Sequence, residues 1–190
     1  MKSFRDFIFE LEKEGMLVEL KKPISKNLIL AGALKELDGK AVLARNIKEN
    51  PGAIVAGNIF STKDLICKYL GIEKSELIPK LINAIDKPTK PKAIDRKNAP
   101  IFENVIEAND VDLNKLPILF HAEKDGGPYF SSAVVIAKDN ELGQNCSFHR
   151  MMQIGKNKMV ARILHRHLDE FIARAGGKKL DVAIVIGAPI

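Results

Sequence analysis

An α+β fold follows from three features of this sequence. Helix-period and strand-period segments alternate through the first hundred residues, a proline- and charge-rich connection follows, and short strands separated by tight turns dominate the remainder. We read residues 1–100 as a small N-terminal α/β domain whose connecting linker is 86–100, and residues 101–190 as a second, strand-rich unit. With 190 residues, 46% of them hydrophobic, the chain can bury a real core.

The first element is an amphipathic helix. Ser3 and Asp6 have capping-box spacing, Phe4, Phe7, Ile8 and Leu11 recur at helical period, and Gly15 supplies a stop. Met16 to Leu20 then reads as a strand, Leu28 to Leu37 as a helix, and Ala41 to Arg45 and Ala53 to Phe60 as strands. Thr62 is placed to cap a helix carrying Leu65, Ile66, Tyr69 and Leu70, which Gly71 ends. A further helix spans Lys74 to Ile85, although Pro79 works against its middle. The linker DKPTKPKAIDRKNAP has three prolines among charges and no apolar period. After it, Ser131 to Lys138, Gln144 to Ile154 and Lys158 to His165 form an expected antiparallel meander, with DNELG and GKN as its turns. His167 to Ala175 reads as a helix stopped by Gly176 and Gly177, and Asp181 to Ile186 as an apolar buried strand.

Composition narrows the function. The net charge of +6 comes from lysines scattered along the chain, which describes a solvated surface rather than a nucleic-acid stripe. The charged N-terminus is unlike a signal peptide, and no stretch reaches the roughly 18 apolar residues that span a bilayer. A cytoplasmic protein without nucleic-acid or membrane partners is expected. Cys67 and Cys146 lie far apart and outside any CxxC pattern, so reduced, partly buried thiols are expected. Ser-His-Asp, Walker and HExxH arrangements are absent from the sequence.

Three segments have chemical potential. Gly126 to Tyr129, GGPY, is a turn by composition, and its glycines would also let a backbone approach a phosphate. The strand QNCSFHRMMQIG places Asn145, Ser147 and His149 on one face and Cys146, Phe148 and Arg150 on the other. That polar face is either the wet side of a half-exposed sheet, which pattern alone favours, or the wall of a ligand cleft. His165, Arg166 and His167 stand where a strand turns toward a helix, as cap or surface residues or as ligands.

In order and spacing, GGPYFSSAVVIAKD, QNCSFHRMM, RILHRHLDEF and VAIVIGAP resemble consecutive segments of the UbiD family of reversible decarboxylases. The segments SFRDFIFELEKEGMLVEL, AVLARN, IVAGNIF and DLNKLPILFHAEKDGGPY are similar to that family's N-terminal part. The resemblance implies a small N-terminal α/β domain followed by a split β-barrel of flavin-binding type, of which 101–190 would hold part, incomplete at its C-terminal side. It implies non-oxidative, reversible decarboxylation of an unsaturated or aromatic acid by prenylated FMN, with Mn2+ and K+ near the flavin phosphate. A flavin prenyltransferase would supply the cofactor, and a homo-oligomer is expected. Substrates of 3-octaprenyl-4-hydroxybenzoate or anhydromevalonate phosphate type fall within this scope.

Residue by residue, Asn145 and His167 resemble metal ligands, and Arg150 resembles the catalytic arginine beside the flavin and the substrate carboxylate. Cys146, Ser147, Phe148 and His149 fall on the cofactor-contacting stretch between Asn145 and Arg150. Arg166 precedes His167 at the flavin, and Gly187, Ala188 and Pro189 resemble the start of a cofactor-lining loop. If Asn145 and Arg150 serve one site, the strand must bulge, bend or end between them. A third metal-ligand glutamate and two proton-transfer glutamates have no counterpart in the 190 residues. The chain is therefore expected to be a fragment, one half of a split enzyme, or a flavin-nucleotide-binding or subunit-interaction module without turnover.

Overall fold

The computed structural model describes residues 3–187. Helix α1 (Phe4–Lys13) begins at the expected capping box, with Ser3 accepting from the Asp6 amide and Asp6 reaching back to the Ser3 amide. It buries Phe7 and Leu11 completely. These pack against Ala41, Ile59, Leu65 and Tyr69, and the Phe7 ring meets Tyr69 edge-on at 5.2 Å between centroids. Strand β1 (Leu17–Leu20), helix α2 (Ile29–Glu36) and strand β2 (Ala41–Ala44) form a parallel β-α-β unit. Every residue of β2 is buried because it is the central strand, flanked by β1 and by antiparallel β3 (Val55–Gly57).

Strand β3 is shorter than the sequence suggests because Asn58 adopts a left-handed conformation and donates its side-chain amide to the carbonyls of Leu34 and Leu37. A residue spent on closing the end of α2 cannot extend a ladder. Helix α3 (Lys63–Leu70) has the expected Thr62 cap and left-handed Gly71. The next helix starts with a 3-10 turn, Lys74–Glu76, and continues as α4 (Leu77–Asp86). Pro79 is tolerated because it lies in the first turn, where its missing N–H has no intrahelical partner to lose.

From 87 to 116 the backbone makes only short 3-10 turns, so irregular structure extends past the expected linker. The following strap, residues 114–121, joins the two halves. The Asn50 amide donates to the Asn114 carbonyl at 2.8 Å, Leu28 N donates to Phe120 O, and Phe120 N donates to Lys26 O. Its neighbouring residues Ile118 and Leu119 enter different cores, Ile118 that of the strand-rich unit and Leu119 a cluster with Leu30, Ala44 and Ile47.

The strand-rich unit corrects the simple meander. Its strands are β4 (Tyr129–Phe130), β5 (Val134–Asp139), β6 (Gly143–Phe148), β7 (Met151–Gly155), β8 (Lys158–Ala161) and β9 (Val182–Val185). They form two antiparallel sheets, β4-β7-β8 and β6-β5-β9, and helix α5 (His167–Arg174) contributes Leu168 and Phe171 to the core. The single expected strand Gln144 to Ile154 is thus two strands in different sheets. Phe130 pairs with Met151 and Val134 with Phe148, so three residues on one side of the ribbon and two on the other span the corner. The extra residue turns the ribbon as a bulge does, and a strand switching sheets in this way makes a corner.

Strand β9 is also a correction. It is an edge strand whose Val182 is 45% exposed, so its apolar run does not reflect complete burial. Cys67 is buried and Cys146 exposed, and both are free thiols.

Candidate functional site

The corner between β6 and β7 organises the candidate site. Partners directly opposite each other in an antiparallel pair point to the same face. Asn145 lies opposite Ala137 and Ser147 opposite Val135, and both partners belong to the buried core. The polar face of β6 therefore points inward, which overturns the wet-face reading. Its side chains form a ladder: Asn145 Nδ2 donates to Ser147 Oγ at 3.2 Å, and Ser147 Oγ lies 2.9 Å from His149 Nε2. With its nitrogen committed to Ser147, Asn145 retains its carbonyl oxygen as an acceptor or cation donor atom. Cys146 and Phe148 lie opposite Ile136 and Val134 on the other face, and Phe148 is 74% exposed.

Arg150 follows the end of β6 and leaves the alternation. Its guanidinium carbon sits 4.5 Å from the centroid of Tyr129, and Nη2 donates to Asp125 Oδ1 at 3.3 Å. The GGPY segment builds this environment. Gly126 and Gly127 run against Met152, where a Cβ on Gly126 would come within 3.0 Å of the Met152 sulfur. Glycine allows the segment to lie on β7 and carry Asp125 and Tyr129 to Arg150.

Beside them, His121 has a buried Nδ1 without a partner among the described residues. Burial holds its pKa below the ordinary imidazole value; Asp125 opposes that shift and Arg150 adds to it. Tyr129 belongs to the GGPY segment that the sequence marks by its glycines, whereas Asp125 and His121 do not stand out there. Their signal is the pairing of Tyr129 with Met152, which local periodicity does not reveal.

Arg166 is the N-cap of α5 and His167 its first residue, both exposed. With His165, Asp169 and Glu170 they line an open recess of about 500 Å³. His165 Nδ1 lies 2.9 Å from Asp169 Oδ2. Arg166, His167 and the unpaired amides of a helix start suit an anionic group such as a phosphate, an attraction that Asp169 and Glu170 in the first turn partly offset. Asn145 is not among the residues that line this recess.

Among the described residues no group of three or more His, Cys, Asp or Glu could hold a metal ion. Asn145 and His167 offer one neutral oxygen and one imidazole, which is too few donors for a hard divalent cation. Gly187 is exposed at φ 70°, whereas Ala188 and Pro189 lie outside the described residues.

Residues 92–190 match the family model of the 3-octaprenyl-4-hydroxybenzoate carboxy-lyase Rift-related domain (UbiD), and residues 8–85 match that of the corresponding N-terminal domain. The chain is 37% identical over 188 residues to anhydromevalonate phosphate decarboxylase of Methanosarcina mazei, covering 97% of this chain and 42% of that protein. It is 31% identical to the protein of the same name from Methanothermobacter thermautotrophicus, covering 96% and 42% respectively.

Among solved structures, an evolved dimeric form of the UbiD-class enzyme HmfF from Pelotomaculum thermopropionicum, in complex with prFMN, superposes with a TM-score of 0.92 at 29% identity. The match covers 99% of this chain and 45% of that one. The closed form of vanillic acid decarboxylase from Sedimentibacter hydroxybenzoicus gives a TM-score of 0.89 at 28% identity, over 99% and 43% of the two chains. This chain thus spans less than half the length of each of these proteins. No helix among the described residues is long and apolar enough to cross a membrane.

Proposed function

This chain belongs to the UbiD family, and from that premise we propose that it forms the N-terminal domain and flavin-binding barrel portion of a prenylated-FMN decarboxylase. The reaction is the non-oxidative, reversible removal of carbon dioxide from an unsaturated or aromatic acid. Anhydromevalonate phosphate is the favoured substrate, because the relatives at 37% and 31% identity carry that name. The observation that carries the reading is the sheet change between Phe148 and Met151. It turns Asn145, Ser147 and His149 inward and frees Arg150 to stand over Tyr129 beside the site.

The residues fit an anionic cofactor and an anionic substrate. Arg166, His167 and the start of α5 would receive the flavin phosphate, with the Asn145–Ser147–His149 ladder and the chain from Gly187 as further cofactor contacts. Prenylated flavin, when bound, supplies the electron sink for decarboxylation. Arg150 holds the substrate carboxylate in the orientation from which carbon dioxide leaves. The protein orients the acid and excludes water; the cofactor carries the bond cleavage.

Mn2+ and K+ would require acidic ligands from the part of the enzyme that lies outside this alignment, completing a centre to which Asn145 and His167 contribute. The same part would supply the proton-transfer carboxylates. A cytoplasmic homo-oligomer, loaded by a flavin prenyltransferase, is the expected working state.

The test is Arg150→Lys in the complete enzyme. Lysine keeps the charge but not the planar fork that binds a carboxylate through two parallel bonds. Decarboxylation should fall by at least about a hundredfold while flavin absorbance and fold are kept. Near-normal carbon dioxide release at full cofactor occupancy would remove Arg150 from the site.

A further inference from the structure

Arg150 is more ordered by its surroundings than its 58% side-chain exposure implies. Two groups fix it. The Tyr129 ring lies under the guanidinium plane at 4.5 Å, and Asp125, whose side chain is only 19% exposed, accepts from Nη2 with Oδ1 at 3.3 Å and Oδ2 at 3.5 Å. Both contacts come from one nine-residue stretch, His121 to Tyr129, which Gly126 and Gly127 press against Met152. Asp125 engages neither Nε nor Nη1. One of the two Nη2 hydrogens therefore remains, and with a hydrogen of a neighbouring nitrogen it makes an intact edge for a bidentate carboxylate.

We propose that Asp125 is a positioning residue for Arg150: with Tyr129 beneath the plane, it fixes the guanidinium so that one hydrogen-bonding edge is presented to the substrate carboxylate. The inference rests on the reading of Arg150 as the carboxylate-binding arginine. Its physical basis is preorganisation, since an arginine left to sample its rotamers must be ordered at the moment of binding, whereas a stacked and clamped one need not be. A carboxylate directed at Nη2 from one side also leaves the incoming acid only the other edge, which sets the direction of approach.

The experiment has two arms and uses Asp125→Ala, the isosteric Asp125→Asn and the charge-keeping Asp125→Glu. In the complete enzyme loaded with prenylated FMN, Asp125→Ala should raise KM for the acid about tenfold and change kcat less. Asp125→Asn should show most of that effect, and Asp125→Glu should restore much of the loss. In the 190-residue chain without cofactor, the side-chain Nε–Hε signal of Arg150 in nitrogen-15 NMR should be sharp and shifted in the wild type. It should broaden toward the free-arginine position in Asp125→Ala and Asp125→Asn.

A wild-type-like KM together with an unchanged Arg150 signal in a folded Asp125→Asn protein overturns the proposal. If the wild-type loaded enzyme releases no carbon dioxide, the decarboxylase reading fails by itself. The NMR arm then still decides whether Asp125 orders Arg150.

Discussion

The two halves of this chain use apolar residues differently. In the N-terminal α/β unit, Phe7, Leu11, Leu30 and all of β2 from Ala41 to Ala44 are buried, and the apolar stripes of α1 and α3 meet in one place. In the strand-rich unit the buried residues form one cluster around Val135, Ala137, Met151 and Phe171. Polar Asn145 and Ser147 share the inner face with that cluster, and Phe148 points outward. The first half folds by local rules. In the second, the inward face is shared between apolar packing and hydrogen-bonded polar side chains, so hydrophobicity and burial come apart.

Mutating one phenylalanine in each half gives the largest contrast. Phe7 is fully buried among aromatic and aliphatic neighbours, so Phe7→Ala should destabilise the chain by about 3–5 kcal/mol in denaturant unfolding. Phe148→Ala removes a ring that is mostly in water and should stay within about 0.5 kcal/mol. Equal losses would mean that Phe148 packs against something in solution and that the two halves differ less than described.

A smaller effect probes how local the N-terminal half is. Thr62 Oγ1 accepts from the Leu65 amide at 3.2 Å, and Thr62→Ala should cost about 1 kcal/mol. Thr62→Ser should recover most of it, because serine keeps the hydroxyl. A loss in both variants would point to the Thr62 methyl rather than to the cap.

These contrasts also describe what the sequence discloses. The capping box at Ser3 and Asp6, the Thr62 cap and the stops at Gly15 and Gly71 act within one helical turn, and each is legible in the letters. The end of β3 was not legible, because Asn58 is held by carbonyls of α2 more than twenty residues earlier. The strap at 114–121 is silent for the same reason: neighbouring Ile118 and Leu119 serve two cores, which gives no period. At the candidate site, alternation correctly grouped Asn145, Ser147 and His149 but could not say which face was inward. A break between Asn145 and Arg150 was expected only if the two serve one site, and the second sheet that makes the break was not legible. Asp125 and Tyr129 reach Arg150 through strand pairing and a glycine-packed approach, both tertiary facts.

The smallest expected effect lies at His121, a partly buried side chain that feels burial most and the charges of Asp125 and Arg150 in opposite directions. Burial is the main cause that lowers its pKa, and nearby Arg150 works in the same direction; Asp125 and the Leu119 backbone pull the other way without winning. The folded state therefore favours neutral imidazole more than the unfolded chain does. Above about pH 6.5 both states are neutral and the contribution to stability is complete. As pH falls below that value the unfolded chain takes up a proton that the folded chain resists, so stability is lost on the acid side until the folded pKa is passed. His121→Gln keeps a polar side chain of similar reach without an ionisable group. Its denaturant midpoint should fall less than that of the wild type between pH 7 and pH 5, with the two chains differing most at the acid end. The effect should be modest, because the residue is only partly buried and Asp125 offsets part of the shift. Parallel pH profiles would show that His121 is solvated in solution.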